Sequence, residues 1–490
     1  MRLGIDLGTT HTIVACADRG NYPVVGFVDD DGASVDWFPS VVAARAGELR
    51  HGFDALAVAG EPGWTLRRSF KRLLGTPGAH EAEIEIGDTR VRAGDLVAGF
   101  LAALRRALAE RSNAPEAAEA SEAAVAVPAN AHGGQRFLTL DAFRRAGFDV
   151  AALLNEPSAA GFEYTHRYRE TLSTRRDHIV VYDLGGGTFD ASLVRMVGRH
   201  HEVVTTAGLA RLGGDDFDEV LAELVLARGG GGVASARLLD RCRDAKERLG
   251  PNSRKIAVDT DDGSTVTLPV ADYYAACQPL IDRTLAAMAP VVERGGEGMV
   301  GEDVAGIYVV GGASSLPPVG RALRDRFGRR VHRSPYPFGA VAIGLAICAD
   351  EGAGFVVEDR LSRHMGVFRE EDAGRRVGFD AIFSAEAAHG AELRRVYRAA
   401  HNLGHYRFVE CSALDGDGGP SGDITPLGDV RFPFDPGLRG APLDAVPVRR
   451  LPSAGPMVEE RWAVDAHGIV QVTITDLDSG YRVEQRLGAA

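Results

Sequence analysis

The sequence predicts a duplicated α/β fold followed by a separate antiparallel β domain, and three observations carry that reading. Val180-Val181-Tyr182-Asp183-Leu184-Gly185-Gly186-Gly187-Thr188-Phe189-Asp190 reads as a buried strand entering a glycine turn with an acid at each end. Met1 to Ala15 reads as a second strand-turn-strand, with Asp6-Leu7-Gly8-Thr9-Thr10 at its tip. After about residue 352 helical periods give way to two-residue alternation.

Each turn has its own chemistry. Glycines remove every Cβ, so backbone N–H groups can approach a ligand closely, and such N–H groups suit phosphate oxygens. Carboxylates such as Asp6 and Asp183 suit a hydrated divalent cation. The repeat therefore suggests two halves closing over one phosphate tail from both sides. Gly311-Gly312, with a helix after them, are placed to hold the nucleoside end.

In chain order, Leu3–Leu7, Thr12–Ala17 and Val24–Val28 read as a β-meander broken by Gly and Asp turns. Trp64 to Gly75 reads as a helical stretch whose glycine stop places Lys71 in its last turn. Gly94 to Arg111 is an amphipathic helix, with Leu96, Phe100, Leu104 and Leu108 on one face. Residues 115–124 read as a loose connection, then Ala124–Val127 as a strand stopped by Pro128 and about 134–146 as a helix. Leu153-Leu154-Asn155-Glu156-Pro157 is a strand, an acid and a helix start, with proline suited to the first helical position. Leu212-Gly213-Gly214-Asp215 opens another helix, and Ala234 to Leu249 is an arginine-rich one. Ile307 to Val310 is a strand into the Gly311-Gly312 turn, followed by helices near 318–327 and 340–349. In the tail, Val470, Val472 and Ile474 alternate with Gln471, Thr473 and Thr475, and Tyr481 to Leu487 supplies a return strand.

Composition narrows the function. A formal net charge of −13 argues against nucleic acid as the main partner. Five scattered cysteines without a C-x-x-C pair suit a reducing compartment. The N-terminus lacks a secretory signal, and the longest apolar run, 339–349, is too short to cross a bilayer. No membrane partner and a cytoplasmic location are therefore expected. Among 55 basic residues only Lys71, Lys246 and Lys255 are lysines, so a lysine here marks a place that needs a compact ammonium. Lys71 could neutralise charge on a transferred phosphoryl group and orient the attacking water. The alternative is an exposed helix-end lysine stabilised by the helix dipole.

Several segments together resemble one family. They are GIDLGTTHTIVA (4–15), KRLLG (71–75), VAVPANAHGGQRFLTLDAFRRAG (125–147), LLNEPSAA (153–160), VYDLGGGTFDASLV (181–194), RLGGDDFDE (211–219), VVGGASSLPPV (309–319) and AVAIGLA (340–346). In order and in kind they resemble the DnaK-type chaperones, the seventy-kilodalton heat-shock class. The resemblance implies an actin-like, two-lobed ATPase domain over 1–352, an interdomain linker over 353–365 and a peptide-binding β-sandwich over 366–490. It implies ATP or ADP with Mg2+ as cofactors, and potassium as a further ion. By position, Lys71 resembles the lysine that positions the hydrolytic water. Glu156, Asp183 and Asp190, joined by Asp6, match carboxylates that order water and magnesium, Asp6 and Asp183 reaching the metal through water. Thr9, Thr10 and Thr188 match hydroxyls at the phosphates. Gly8, Gly185, Gly186, Gly187, Gly213, Gly214, Lys246, Gly311 and Gly312 fall in the nucleotide-binding segments, and Pro128 and Arg136 look like the proline switch and its arginine relay.

This sequence also departs from the family. Gly250 stands at the position of the clamp serine, Arg243 at an acidic position and Ser315 at that of an arginine stacked on the base. Losing that arginine should weaken adenine binding by ~1–2 kcal/mol, so looser or less base-selective nucleotide binding is expected. Pro337-Phe338-Gly339 replaces an acidic stretch, Ala152 a basic residue that helps dock J-domain co-chaperones, and Phe355-Val356-Val357-Glu358 a leucine run in the linker. J-domain and nucleotide-exchange partners are implied by resemblance, with coupling weakened. The family's helical lid has no counterpart before Ala490, so fast exchange of bound peptide is expected. The expected function is an ATP-dependent chaperone binding extended apolar polypeptide segments. The alternative is a slowly hydrolysing switch with one dedicated partner; a sugar kinase is disfavoured by the C-terminal β domain.

Overall fold

Two mixed sheets repeat one strand order. They are seen in a computed structural model that describes residues 1–488 apart from 77, 80–81, 120–121, 199, 210, 230, 294–299, 355 and 358–359. The first sheet contains β1 (Arg2–Asp6), β2 (His11–Ala17), β3 (Phe38–Pro39), β4 (Glu122–Val127) and β5 (Asp149–Asn155), in the spatial order β5-β4-β1-β2-β3. The second contains β6 (His178–Leu184), β7 (Phe189–Val197), β8 (His200–Leu209), β9 (Val304–Val310), β10 (Val331–Arg333) and β11 (Val356–Val357), in the order β10-β9-β6-β7-β8-β11. In each, an antiparallel hairpin (β1-β2, β6-β7) is extended by two parallel strands on its first member. The central strands are near-continuous apolar runs because their neighbours cover both faces: Leu3, Ile5, Val125 and Val127 are buried in one sheet, Val180, Val181, Ile307 and Val309 in the other.

Helices α1 (Ala93–Arg111), α2 (Gly133–Arg145), α3 (Glu156–Tyr168), α4 (Gly214–Gly229), α5 (Ala236–Glu247), α6 (Val270–Val292), α7 (Pro317–Phe327) and α8 (Ala340–Ala349) supply the covering layers. Every residue of α8 from Ala340 to Ile347 is buried, as a helix apolar all round must be. Two glycines let it approach so closely. A Cβ at Gly344 would fall 1.7 Å from Ala159 O in α3, and one at Gly4 would fall 2.2 Å from Ala342 O.

Three local expectations need correction. Of Val24–Val28, only Phe27–Val28 forms a strand; Val24 makes an isolated bridge to Ala15. Trp64 to Gly75 is not one helical stretch. Thr65–Arg68 is a strand paired with 41–44, Ser69 turns the chain with φ 53°, and Phe70–Gly75 is a 3-10 turn whose second residue is Lys71. The connection expected to be loose is built: Pro115–Glu119 is a 3-10 turn burying Ala117 and Ala118.

The C-terminal region holds β12 (His364–Glu371), β13 (Arg376–Phe383), β14 (Glu392–Arg398), β15 (Leu403–Leu414), β16 (Pro420–Pro433), β17 (Met457–Val464), β18 (Val470–Asp476) and β19 (Arg482–Arg486). They form two four-stranded antiparallel sheets, β13-β12-β15-β16 and β14-β17-β18-β19, sharing one core that includes Val367, Phe408, Phe432, Trp462 and Val472. Val470, Val472 and Ile474 are buried there, as their alternation predicts. Before β17 the chain runs along the 399–402 connection: Asn402 N donates to Arg449 O (3.0 Å), Leu451 N to Ala400 O (2.8 Å), and Ala399 N to Pro456 O (3.0 Å). Arg450 also pairs with Glu370.

Two side chains tie this region to α2. Glu410 Oε2 accepts from Gly133 N at 2.9 Å, and Arg136 donates to His467 O through Nε (3.1 Å) and Nη2 (2.9 Å). Of the expected linker, Val356–Val357 adds a strand parallel to β8 at His200–His201, while Phe355, Glu358 and Asp359 lie outside the described residues.

Candidate functional site

The tips of the β1-β2 and β6-β7 hairpins face each other across a cavity of about 1170 Å³, counting its open mouth. Asp6, Gly8, Thr9 and Thr10 line one side, Asp183, Gly185, Gly186 and Thr188 the other, and Lys71 and Glu156 lie between. The approach of the two turns, and the tightness of the first, depend on missing side chains. A Cβ at Gly186 would fall 2.1 Å from Thr10 Oγ1, and one at Gly8 would fall 2.1 Å from His11 O.

Lys71 is presented by the 3-10 turn, which is anchored by buried Phe70 and Leu74. Glu156 begins α3, where a carboxylate is favoured by the helix dipole. The two meet at 2.7 Å (Nζ to Oε1), with 12% and 13% of their side chains exposed. Lys71 is thus no exposed helix-end lysine. Burial alone would depress its pKa, but Glu156, Asp6 and Asp183 hold it above the ordinary lysine value. Three aspartates are raised as well, which for them favours the neutral form. Burial, with Glu156, Asp190 and Asp6 adding, pushes Asp183 well above the usual carboxylate range. Burial and Glu156 push Asp190 up to about 7. Burial likewise raises Asp6, partly offset by Lys71. Four carboxylates therefore face one ammonium, and this excess of negative charge is what a bound divalent cation would relieve. The donor set fits magnesium, which takes hard oxygen ligands and keeps several waters.

Gly187, Gly213 and Asp190 stand behind the lining. Asp190 pairs in register with Asp183, and a Cβ at Gly213 would fall 2.6 Å from Gly187 N. Gly214 lines the cavity and donates its N–H to Gly185 O at 2.9 Å. At the far end Gly311 and Gly312 are joined by Arg243, Lys246, Glu247, Leu249, Ser315, Leu316 and Phe338. Lys246 Nζ donates to Gly214 O (2.8 Å) and pairs with Asp218 (2.7 Å). Arg243 pairs with Asp215 (3.1 Å), Asp218 (3.3 Å) and Asp240 (3.3 Å). Burial lifts Asp218 to about 6 despite the pull of Lys246 and Arg243. Of the three lysines, two lie in the cleft and Lys255 is exposed on a strand.

Pro128 and Arg136 do not line the cavity. Pro128 follows β4, half-buried. Arg136 is buried, its Nη1 donating to Asn155 Oδ1 at 2.9 Å, directly before Glu156.

Several residues at the site escaped the sequence reading. Arg72 Nη2 donates to Gly187 O at 2.6 Å, and Ser69 Oγ donates to Asp215 Oδ2 at 2.8 Å, which ties the Lys71 turn to the opposite hairpin. His11 packs against Trp37 with 4.4 Å between ring centroids and the rings tilted by 37°, and burial, with Arg243, Arg68 and Lys246 adding, lowers its pKa to about 3. Acids at 215, 216 and 218 opposite cations at 243 and 246 are a complementary pattern that could have revealed the α4-α5 pair.

Repeated mixed sheets with paired Asp-Leu-Gly turns at one cleft define a class of duplicated α/β proteins. The chain belongs to the Hsp70 family, whose model, described as "Hsp70 protein", matches residues 2–361. It is similar to the chaperone protein HscA homolog of Variovorax paradoxus, 36% identical over 377 residues, covering 72% of this chain and 58% of that protein. A chaperone protein HscA homolog from Acidithiobacillus ferrooxidans is 34% identical over 391 residues (74% and 60%), and the chaperone protein HscA of Cronobacter sakazakii 34% over 366 residues (71% and 57%). The chain spans less than two thirds of the length of these curated relatives. The DnaK-type resemblance of the motifs is thus borne out at the level of family.

Proposed function

We propose that this protein is an ATPase of chaperone type: it binds and hydrolyses Mg-ATP in the cleft and couples this to the binding of extended apolar polypeptide segments by its C-terminal β region. In this reading residues 1–352 form a two-lobed, actin-like nucleotide domain, 353–365 the linker and 366–490 a β-sandwich. The observation that carries it is the Lys71–Glu156 pair set among Asp6, Asp183 and Asp190 between the two glycine turns. Magnesium, when bound, supplies charge neutralisation of the phosphates.

The chain's own residues do the rest. The turn N–H groups around Gly8 and Gly185–Gly187, with the hydroxyls of Thr9, Thr10 and Thr188, bind phosphate oxygens. Asp6 and Asp183 hold the hydrated cation. Lys71 stays charged, orients the attacking water and stabilises negative charge growing on the transferred group. Glu156 keeps Lys71 in place and, with Asp190, orders water. Arg136, bonded both to Asn155 and to His467 O, is the arm through which a change at Glu156 reaches the β region, and Pro128 is the switch beside it. J-domain and nucleotide-exchange proteins are the co-chaperones this reading implies.

Single-turnover hydrolysis with and without a panel of apolar peptides tests it. Stimulation by many unrelated peptides is expected. Hydrolysis without stimulation by any of them would overturn the coupling, and absence of hydrolysis would overturn the whole reading.

A further inference from the structure

The inner end of the cleft gathers unbalanced carboxylates, whereas the outer end sets apolar side chains beside charges that are paired. Around Gly311-Gly312 the cavity is lined by Leu249, Leu316, Pro337 and Phe338. The two cations nearby are engaged: Arg243 by Asp215, Asp218 and Asp240, and Lys246 by Asp218 and Gly214 O. Both are largely buried in these pairs, with 12% and 7% of their side chains exposed. Of the described lining residues only His11 and Phe338 carry aromatic rings, and His11 already packs at a tilt against Trp37.

Phe338 is 46% exposed although it lies in the cavity wall. Its backbone is pinned: Gly311 N donates to Pro337 O and Gly339 N to Tyr336 O, both at 2.9 Å. Its ring packs over Gly312, where a Cβ would fall 2.6 Å from the ring edge. The His11 ring stands edge-on to it with 6.4 Å between centroids, and a partly exposed aromatic ring on a pinned backbone is what a flat heterocycle stacks on.

We propose that Phe338 is the stacking platform for the nucleoside of the bound nucleotide, and that the cleft accepts purine nucleoside triphosphates with little discrimination between adenine and guanine. The inference rests on the nucleotide-binding reading above. A phenyl ring offers a π face to either base and reads no hydrogen-bond pattern.

The test is calorimetric titration of the full chain, with magnesium, against ATP, GTP and tripolyphosphate. For the unsubstituted protein, ATP and GTP affinities are expected within about threefold of each other, since stacking is sequence-tolerant. Phe338→Ala should weaken both by about tenfold while leaving tripolyphosphate unchanged; Phe338→Trp should restore them. Phe338→Leu, which keeps the apolar bulk against Gly312, should bind like the alanine variant and decides the matter if that one fails to fold. Unchanged ATP affinity in the alanine or leucine variant, or a preference for ATP beyond about a hundredfold, would overturn the inference and leave the cleft reading standing. Failure of ATP and tripolyphosphate alike to bind the unsubstituted protein would overturn both.

Discussion

The two ends of the cleft are built on different principles. The inner end brings four carboxylates and one lysine together under burial, and its geometry is fixed by glycines that allow backbone to approach backbone. The outer end neutralises its own charges in the Asp215–Asp218–Arg243–Lys246 cluster and leaves the Phe338 ring nearly half exposed. The inner end is specified by charge and leaves little room for change. The outer end is specified by shape, and shape tolerates substitution better than a buried charge does.

Substitutions should separate the ends. The largest effect is expected from Lys71→Ala: a fall of roughly a hundred- to a thousandfold in single-turnover hydrolysis, with nucleotide affinity changed far less; an equal loss in both would erase the distinction. Gly8→Ala forces a Cβ against His11 O and should weaken ATP and tripolyphosphate equally, by about tenfold or more, as read by calorimetry. Ser315→Arg adds a free guanidinium at the outer end and should tighten ATP by a few-fold with tripolyphosphate unchanged.

The ends should also answer pH in opposite directions. Asp190 is raised in the fold from 3.8 to about 7, so its contribution is full below about pH 4 and is lost as pH rises through 7. Asp190→Asn should therefore raise the ligand-free melting temperature at pH 8 by a few degrees, the gap closing towards pH 5. His11 is lowered from 6.5 to about 3, so its contribution is full above pH 6.5 and is lost as pH falls towards 3. His11→Gln should flatten the loss of thermal stability between pH 7 and pH 5, the smallest of these effects, measurable by scanning calorimetry.

Legibility in the sequence follows the same division. The aspartate hairpins could be read because strand, glycine turn and acid are consecutive in the chain. Helix 340–349 could be read to the residue because burial on all sides leaves an unbroken apolar run. The rarity of lysine marks Lys71, but its local structure is hidden from the sequence: the break at Ser69 is a left-handed serine, which gives no glycine signal. Arg72 and Phe338 are not legible at the site because the partner of Arg72, Gly187, lies 115 residues away and Phe338 sits on a turn whose direction is set by a bond to Gly311. Spacing along the chain carries no trace of such contacts.

The strap that runs beside residues 399–402 has a colloidal consequence. The backbone groups of Ala399, Ala400 and Asn402 would otherwise offer an open edge to any neighbouring molecule. They are already paired with the strap, and Pro447, Pro452 and Pro456 interrupt its row of N–H donors. Newly made copies at high concentration find no continuous ladder here to zip onto, so the molecule carries its own guard against sheet-to-sheet aggregation at this margin.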